Sequence, residues 1–379
     1  MKLKNLTQHK TPFYLYDLGV LESTLDSALL HANKYNYHIH YALKANTNDK
    51  ILSLIQAKGL GADCVSGNEV KKAIEMNFPP KDIAFAGVGK SDEEIHIGLE
   101  NDIFTFNCES IQEIEVINEL AQEKGKIASI ALRLNPNVDA KTHHYITTGL
   151  EENKFGINSW ELENLIAKLP SFKNIKLTGL HFHIGSQITS MTPFKNLCIR
   201  VNELNQWFAD RNVKIEHLNL GGGLGIDYQN PTGNPIPDFE LFFGVFNQFL
   251  EPLPNQDIHF ELGRSLVANC GSLIAKVLYI KNGIKTNFAI LDAGMTELIR
   301  PALYQAYHKI ENLTSQSTEK EYYDVVGPIC ESSDCFGKKI ELKPTQRGDY
   351  IKIHSTGAYG EVMTSKYNLR EQNEVVFTS

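Results

Sequence analysis

Apolar positions along the chain follow two spacings that alternate. Short apolar runs, typical of buried strands, are followed by longer stretches with apolar residues at helical spacing, and this unit repeats from about residue 20 to residue 268. The runs predict strands at residues 38–45, 60–65, 83–86, 103–107, 127–134, 177–184, 215–220 and 258–262. Helices are predicted at residues 20–35, 50–58, 161–169 and 239–250, and further helices are predicted to begin near Ser66, Ser91, Ser110 and Thr192.

The number of strand–helix units favours a closed barrel over an open sheet. The local pattern suits either a closed (β/α)8 barrel or an open doubly wound sheet, but eight units over roughly 240 residues match the barrel. After residue 268 the chain changes to short β-rich runs at residues 272–280, 287–292, 322–326 and 350–354. We therefore expect an α/β chain with a (β/α)8 barrel over residues 20–268 and a mostly-β domain over residues 269–379.

Composition and charge exclude several classes of function. Of the 379 residues 42% are hydrophobic and 22% charged, as in an ordinary soluble globular protein, and the net charge is −8. An acidic chain is a poor partner for nucleic acid or for an anionic membrane. Neither a membrane span nor a signal peptide is visible, and the six cysteines form no paired motif. We expect reduced thiols, a cytoplasmic location and no metal site.

Lysine 44 stands out among the residues at the predicted strand ends. Barrel enzymes place their chemistry at the C-terminal ends of the strands. Lys44 falls within the predicted strand 38–45, where a lysine is costly to bury unless it is neutral or paired. It is interpreted as a desolvated amine suited to imine chemistry. The alternative is a lysine that points outward at the barrel rim.

A glycine-rich segment and an arginine predict a phosphate site. Gly221, Gly222 and Gly223 follow the seventh predicted strand and are expected to precede a helix, where backbone N–H groups can surround an anion. Barrel phosphate sites commonly follow strands seven and eight, and Arg264 follows the eighth. A simple tight turn is the alternative interpretation of the glycines.

Glu261 and His183 complete the set of strand-end groups. A carboxylate at Glu261 could keep the pyridine nitrogen of pyridoxal phosphate (PLP) protonated, and the imidazole of His183 could stack on the same ring. Taken singly, Glu261 could instead form a rim ion pair and His183 could be a core histidine. Together, a lysine, a phosphate cradle, a carboxylate and a histidine at one barrel mouth specify PLP as the cofactor.

Seven short segments resemble those of the fold-type III PLP-dependent decarboxylases, and the resemblance extends over nearly the whole chain. They are YALKAN at 41–46, HFHIGSQ at 181–187, GGGLG at 221–225, ELGR at 261–264, RPALY at 300–304, GPICES at 327–332 and GAYG at 357–360. The first four are shared across the superfamily, whereas the segments at 300–304 and 327–332 point to its diaminopimelate branch. Leu262 departs from the pattern, since the family usually has proline there.

This resemblance assigns a role to each candidate site residue. Lys44 would hold PLP covalently, Cys330 would donate a proton, and His183 would stack on the ring. The phosphate end would be held by Ser186, Gly221, Gly222, Gly223, Arg264 and Tyr359. The substrate would be met by Arg300, Tyr304 and Glu331, with Arg264 and Tyr359 also near it. In the family residues 1–19 usually join the β domain, and a homodimer shares its active sites.

The implied reaction is decarboxylation of meso-2,6-diaminopimelate to L-lysine and CO2, the last step of lysine biosynthesis. A decarboxylase for carboxynorspermidine or for ornithine-like diamino acids is the nearest rival. Those substrates lack the zwitterionic tail to which Arg300 and Glu331 would be matched. A relative of alanine racemase should carry a tyrosine as its second acid/base, and a non-catalytic PLP barrel would lack the β domain.

Overall fold

The computed structural model describes residues 6–138 and 154–378, and the chain divides into two compact units. The barrel unit comprises residues 25–225 and 238–263, and the β unit comprises residues 1–24, 226–237 and 264–379. The domain limits expected from the sequence stay predictions. Parts of both expected domains, at residues 1–5, 139–153 and 379, lie outside the described residues.

Within the described residues, eight parallel strands close into a barrel. The first strand of the chain, β1 (Phe13–Asp17), belongs to the β unit. The barrel strands are β2 (Tyr37–Ala42), β3 (Gly61–Cys64), β4 (Ile83–Phe85), β5 (Thr105–Cys108), β6 (Ala128–Arg133), β7 (Ile175–His181), β8 (His217–Asn219) and β9 (Asp257–Leu262). Strand β9 pairs with β2 and closes the ring, with Tyr41 opposite Leu262. The predicted barrel is confirmed, and the doubly wound alternative is excluded.

Several helices begin at the residues that the sequence predicts as N-caps. The longer helices are Leu18–Asn33, Asp49–Ala57, Gly67–Glu75, Asp92–Glu100, Ile111–Glu123, Leu162–Lys168, Thr192–Ala209 and Phe239–Phe249. Ser66, Ser91 and Ser110 each accept a hydrogen bond from the backbone N–H three residues on, and Ser91 forms a full capping box with Glu94. No helix in the part of the chain that the structure describes is long and apolar enough to span a membrane.

Aromatic packing fixes the last barrel strand against its helix. Phe242, Phe243 and Phe246 on the helix Phe239–Phe249 surround Phe260 of β9, with ring centroids 5.6, 5.1 and 4.8 Å away. All four side chains are buried. Burying a phenylalanine is worth about 1.5–3 kcal/mol, so this cluster holds β9, and with it Glu261, firmly in place.

The β unit is built on a mainly antiparallel sheet. Its further strands are β10 (Gly271–Asn282), β11 (Asn287–Leu291), β12 (Ile310–Asn312), β13 (Glu321–Val326), β14 (Cys335–Leu342), β15 (Tyr350–Ile353) and β16 (Glu374–Thr378). Strand β1 pairs with β10 and with β16. The four runs expected from the sequence correspond to β10, β11, β13 and β15, whereas β1, β12, β14 and β16 were not expected. This unit also contains two short helices, Arg264–Val267 and Arg300–Tyr304.

Candidate active site

Lys44 lies just beyond the C-terminal end of β2. The strand ends at Ala42, and residues 43–45 form one 3-10 turn that Asn46 N closes by donating to the Leu43 carbonyl at 3.0 Å. The Tyr41 hydroxyl donates to the Asn46 carbonyl, 2.9 Å away. The expectation that Lys44 is buried within the strand is therefore wrong, and its side chain is 40% exposed. Its Nζ donates to Asp63 Oδ2 at 3.1 Å. The amine thus lies beyond the strand end, within hydrogen-bond distance of the Asp63 carboxylate.

Asp63 is a site residue that sequence reasoning missed. It lies in the four-residue strand β3, directly opposite Ala42, and its side chain is fully buried. Burial and the charge of Glu261 raise the pKa of Asp63, although Lys44 opposes them. Its Oδ1 has no hydrogen-bond partner among the described residues. A buried acceptor of this kind suits a donor supplied by a ligand.

Glu261 is a buried carboxylate held by hydrogen bonds from three side chains. It accepts hydrogen bonds from His181 Nε2 at 2.9 Å, Asn219 Nδ2 at 2.7 Å and Asn107 Nδ2 at 3.2 Å, so three other strands hold it. Burial alone would raise the pKa of Glu261. The charge and hydrogen bond of His181, together with the charge of Lys44, instead lower it well below its usual range. The group is a buried anion at the working pH.

The glycine loop can be built only from residues without a side chain. Gly221 and Gly223 have φ values of +66° and +109°. A Cβ on Gly222 would lie 1.9 Å from the Glu261 carbonyl oxygen, and one on Gly221 would lie 2.2 Å from that of Phe182. The expected helix does not follow directly, because the next helix begins only at Phe239. Any phosphate contact here relies on loop N–H groups and not on a helix terminus.

His183 and Ser186 lie in the loop after β7, which pairs with the glycine loop. Ile188 N donates to the Gly223 carbonyl at 2.9 Å, and Gly225 N donates back to the Ile188 carbonyl at 2.9 Å. His183 Nδ1 accepts a long hydrogen bond of 3.4 Å from Gly222 N. Burial and the charges of Arg133 and Lys44 lower the pKa of His183 to about 3, so its imidazole is neutral.

These barrel residues fit PLP on chemical grounds. Glu261 is an ionised, desolvated acceptor of the kind that keeps a pyridine nitrogen protonated. Lys44 supplies a primary amine, and residues 221–223 carry no side chain that would keep an anion away from the loop backbone. Gly221 N and Gly222 N already donate to Asn219 Oδ1 and His183 Nδ1. Asp63 Oδ1 is a buried acceptor that the described protein does not use. Lys44, Glu261, His183, Ser186 and the glycine loop would hold the group.

Two arginines meet on one tyrosine in the β unit. Arg264 NH1 and Arg300 NH1 both donate to the Tyr228 hydroxyl oxygen, at 2.7 and 2.9 Å. Arg300 NH1 also donates to His308 Nε2 at 2.9 Å. All four side chains are buried. The sequence singled out both arginines but neither Tyr228 nor His308, since neither carries a local motif.

Tyr359 and Tyr304 lie around the same arginines. The Arg264 guanidinium carbon is 5.0 Å from the centroid of the Tyr359 ring, and Tyr359 has a φ of +58°, uncommon for a non-glycine residue. Tyr304 ends the short helix that begins at Arg300. Arg264, Arg300, Tyr304 and Tyr359 therefore all belong to the β unit, and their binding roles stay predictions.

Cys330 and Glu331 lie on an exposed loop between β13 and β14. The buried Asp334 fixes this loop by accepting from Ile329 N at 2.7 Å and from Met295 N at 2.6 Å. Glu331 Oε1 accepts from the Tyr367 hydroxyl at 2.7 Å. The thiol and the carboxylate are thus presented on a loop whose base is rigid.

The comparisons with known proteins agree with this chemistry. The pyridoxal binding domain of the pyridoxal-dependent decarboxylases matches residues 22–268. The chain is 57% identical to a diaminopimelate decarboxylase of Bacteroides thetaiotaomicron, over 96% of this chain and 94% of that one. It is 42% identical to the diaminopimelate decarboxylase of Haemophilus influenzae, over 97% of this chain and 88% of that one.

A solved structure extends the likeness to three dimensions. The diaminopimelate decarboxylase of Helicobacter pylori, crystallised with L-lysine, matches with a TM-score of 0.94 and 38% identity, covering 100% of this chain and 94% of that one. The family match covers the barrel, and the relatives cover both units. The chain therefore belongs to the pyridoxal-dependent decarboxylases and, within them, to the diaminopimelate decarboxylase family.

Proposed function

We propose that this enzyme converts meso-2,6-diaminopimelate to L-lysine and CO2 with PLP as cofactor. The observation that carries the substrate assignment is Arg300. Its guanidinium is buried, and among the described residues it forms no ion pair with a carboxylate. Its hydrogen-bond partners there are a phenol and an imidazole. A buried cation without a counter-charge is costly, and the distal carboxylate of diaminopimelate would supply one.

The barrel residues prepare the reacting end of the substrate. Bound PLP would take up the electron pair that is left at the α-carbon as CO2 departs. Glu261, held ionised by His181, would keep a proton on the ring nitrogen. Asp63 is placed to take a proton from the Lys44 amine, because 3.1 Å separates the two groups and its pKa is raised. The neutral His183 would cover the ring without adding charge.

The β-unit residues would bind the other end of the substrate. Arg300 would pair with the distal carboxylate and Glu331 with the distal ammonium. The Cys330 thiol would deliver the proton that replaces CO2. Tyr304 would complete the substrate contacts, while Ser186, Arg264, Tyr359 and the glycine loop would hold the phosphate. These roles rest on the family resemblance and on the placement of each residue within its unit.

We further propose a homodimer in which the Cys330 loop of one chain completes the active site of its partner. The exposure of Cys330 and Glu331 in the single chain supports this proposal. A concavity of about 1080 Å³ in the β unit also supports it, because Ser332 and Ser333 of the same loop line this concavity. A cytoplasmic location and the domain limits at residues 20 and 268 stay predictions.

The proposal is tested by substrate choice. The purified enzyme should give a much higher kcat/KM on meso-diaminopimelate than on ornithine or carboxynorspermidine. Arg300→Ala should reduce kcat/KM on diaminopimelate more than tenfold while PLP stays bound, because a lost charged hydrogen bond costs about 1.5–3 kcal/mol. Arg347→Ala, which removes an exposed arginine of the same unit, is the matched control. A wild-type preference for ornithine or carboxynorspermidine would refute the proposed substrate.

A further inference from the structure

Tyr228 has a hydrogen-bond pattern unlike that of an ordinary buried tyrosine. Its hydroxyl oxygen accepts from two guanidinium groups, and among the described residues it has no acceptor for its own proton. Its backbone is fixed by Asp227, whose Oδ1 accepts from the N–H groups of Gln229 and Asn230, both at 2.9 Å. Burial would raise the pKa of Tyr228, but the charges of Arg264 and Arg300 lower it.

The hydrogen bonds of Arg300 determine which of its N–H groups can reach a ligand. His308 Nδ1 is 2.8 Å from the His354 carbonyl oxygen, so this nitrogen is the donor and Nε2 is the acceptor toward Arg300. NH1 of Arg300 therefore gives one proton to His308 and the other to Tyr228. Within the described residues Nε and NH2 make no hydrogen bond. These two nitrogens form the side-on fork that binds a carboxylate through two parallel hydrogen bonds.

We propose that Tyr228 is a positioning residue of this enzyme. Its phenol oxygen fixes the Arg264 and Arg300 guanidinium groups against each other and orients the Nε–NH2 fork of Arg300 for the distal carboxylate of the substrate. The inference rests on the proposed function, because it needs a substrate that carries that carboxylate. Tyr228 itself does not touch the substrate. It acts through Arg300, and His308 prevents the same guanidinium from rotating.

Ligands that differ in the distal carboxylate separate this role from general stabilisation. L-Lysine keeps the carboxylate that Arg300 would bind, whereas cadaverine has the same chain and amines but no carboxylate. Tyr228→Phe keeps the ring that packs edge-to-face on His308, with centroids 5.1 Å apart, and removes only the shared acceptor. It should raise KM for meso-diaminopimelate and the inhibition constant for L-lysine at least tenfold. With PLP present at a saturating concentration, the inhibition constant for cadaverine and the visible absorbance of bound PLP should stay as in the wild type.

The matched control is Tyr323→Phe. Tyr323 is a buried tyrosine of the same unit whose hydroxyl accepts from Thr345 N at 3.0 Å and donates to Glu321. This variant should bind L-lysine and cadaverine like the wild type. Equal weakening of both ligands by Tyr228→Phe, or no weakening of L-lysine, would overturn the proposal. Failure of the wild type to decarboxylate diaminopimelate would instead refute the proposed function.

A second probe covers the case in which Tyr228→Phe does not fold. 3-Fluorotyrosine at position 228 retains the hydroxyl, and its fluorine resonance reports on the surroundings of the phenol oxygen. L-Lysine should shift that resonance, because binding to the fork changes the charge next to the phenol, and cadaverine should not. A resonance that L-lysine leaves in place, at a concentration that inhibits the enzyme, would overturn the proposal.

Discussion

Three buried histidines of the barrel unit predict a specific loss of stability in acid. His40 Nε2 and His259 Nδ1 are 2.8 Å apart, and His40 Nδ1 donates to the Asp82 carbonyl at 3.0 Å. The ring of His217 packs on that of His259, with centroids 5.4 Å apart, and its Nε2 has no partner among the described residues. Burial is the largest cause that lowers the pKa of each of the three.

The magnitude follows from His217, whose pKa is lowered from 6.5 to about 3 by burial and by the neighbouring His40 and His181. The unfolded chain binds the proton first as pH falls, so stability is complete above pH 6.5 and decreases from there down to about pH 3. The decrease is about 1.4 kcal/mol per pH unit, or about 2 kcal/mol at pH 5 relative to neutral pH. His40 and His259, whose pKa values are also lowered, further reduce the unfolding free energy as the pH falls.

The perturbation is His217→Phe, which keeps an aromatic ring and removes the titrating group. Urea unfolding of the holoenzyme at pH 7, 6 and 5, followed by circular dichroism, should show a shallower dependence of unfolding free energy on pH, with the loss between pH 7 and pH 5 smaller by about 2 kcal/mol. Phe104→Leu, beside the same rings, should lower stability at every pH and keep the wild-type slope. An unchanged slope in His217→Phe would refute the reasoning.

Three further predictions concern the catalytic residues. Borohydride reduction of the holoenzyme should fix PLP on the peptide that contains Lys44, and label on another lysine, read by mass spectrometry, would contradict this assignment. Glu261→Gln should retain PLP but lose about 10²–10³ in kcat, the effect of removing one preorganised charged contact, and near-normal turnover would argue against its role at the ring nitrogen. Mixing inactive Lys44→Ala and Cys330→Ala proteins under subunit exchange should restore about a quarter of wild-type activity, because about half of random dimers are mixed and each has one intact site. No recovery despite exchange would mean that each chain completes its own site.

The barrel was predictable because its strands are buried on both faces. Parallel strands of this kind are short continuous apolar runs, so all eight could be recognised between capped helices. The β unit was harder to predict. Strand β12 contains one apolar residue, Ile310, and the apolar pattern of β14 is interrupted by Lys338 and Lys339. Pairing of β1 with β16 joins the two ends of the chain, and no local pattern can show that.

The sequence predicted those site residues that lie in distinctive local segments, and it missed those that are defined by distant partners. Lys44, Glu261 and the glycines lie in distinctive local segments, whereas Asp63 and Tyr228 act through partners far away in sequence. Asn107 reaches Glu261 across 154 positions, and nothing near Asn107 in the sequence indicates it. The position of Lys44 was misjudged because the end of β2 is set by its pairing with the two neighbouring strands, which stops at Tyr41 on the β9 side and at Ala42 on the β3 side. Strand ends set by a neighbour cannot be read from one run of residues.

The most direct test of the central claim is the product balance on meso-diaminopimelate labelled in its carboxyl carbons. The holoenzyme should release CO2 and L-lysine in equal amounts, and Lys44→Ala should release neither above background. Formation of CO2 without L-lysine, or equal activity in Lys44→Ala, would contradict the assignment of this chain as a PLP-dependent diaminopimelate decarboxylase that works through Lys44.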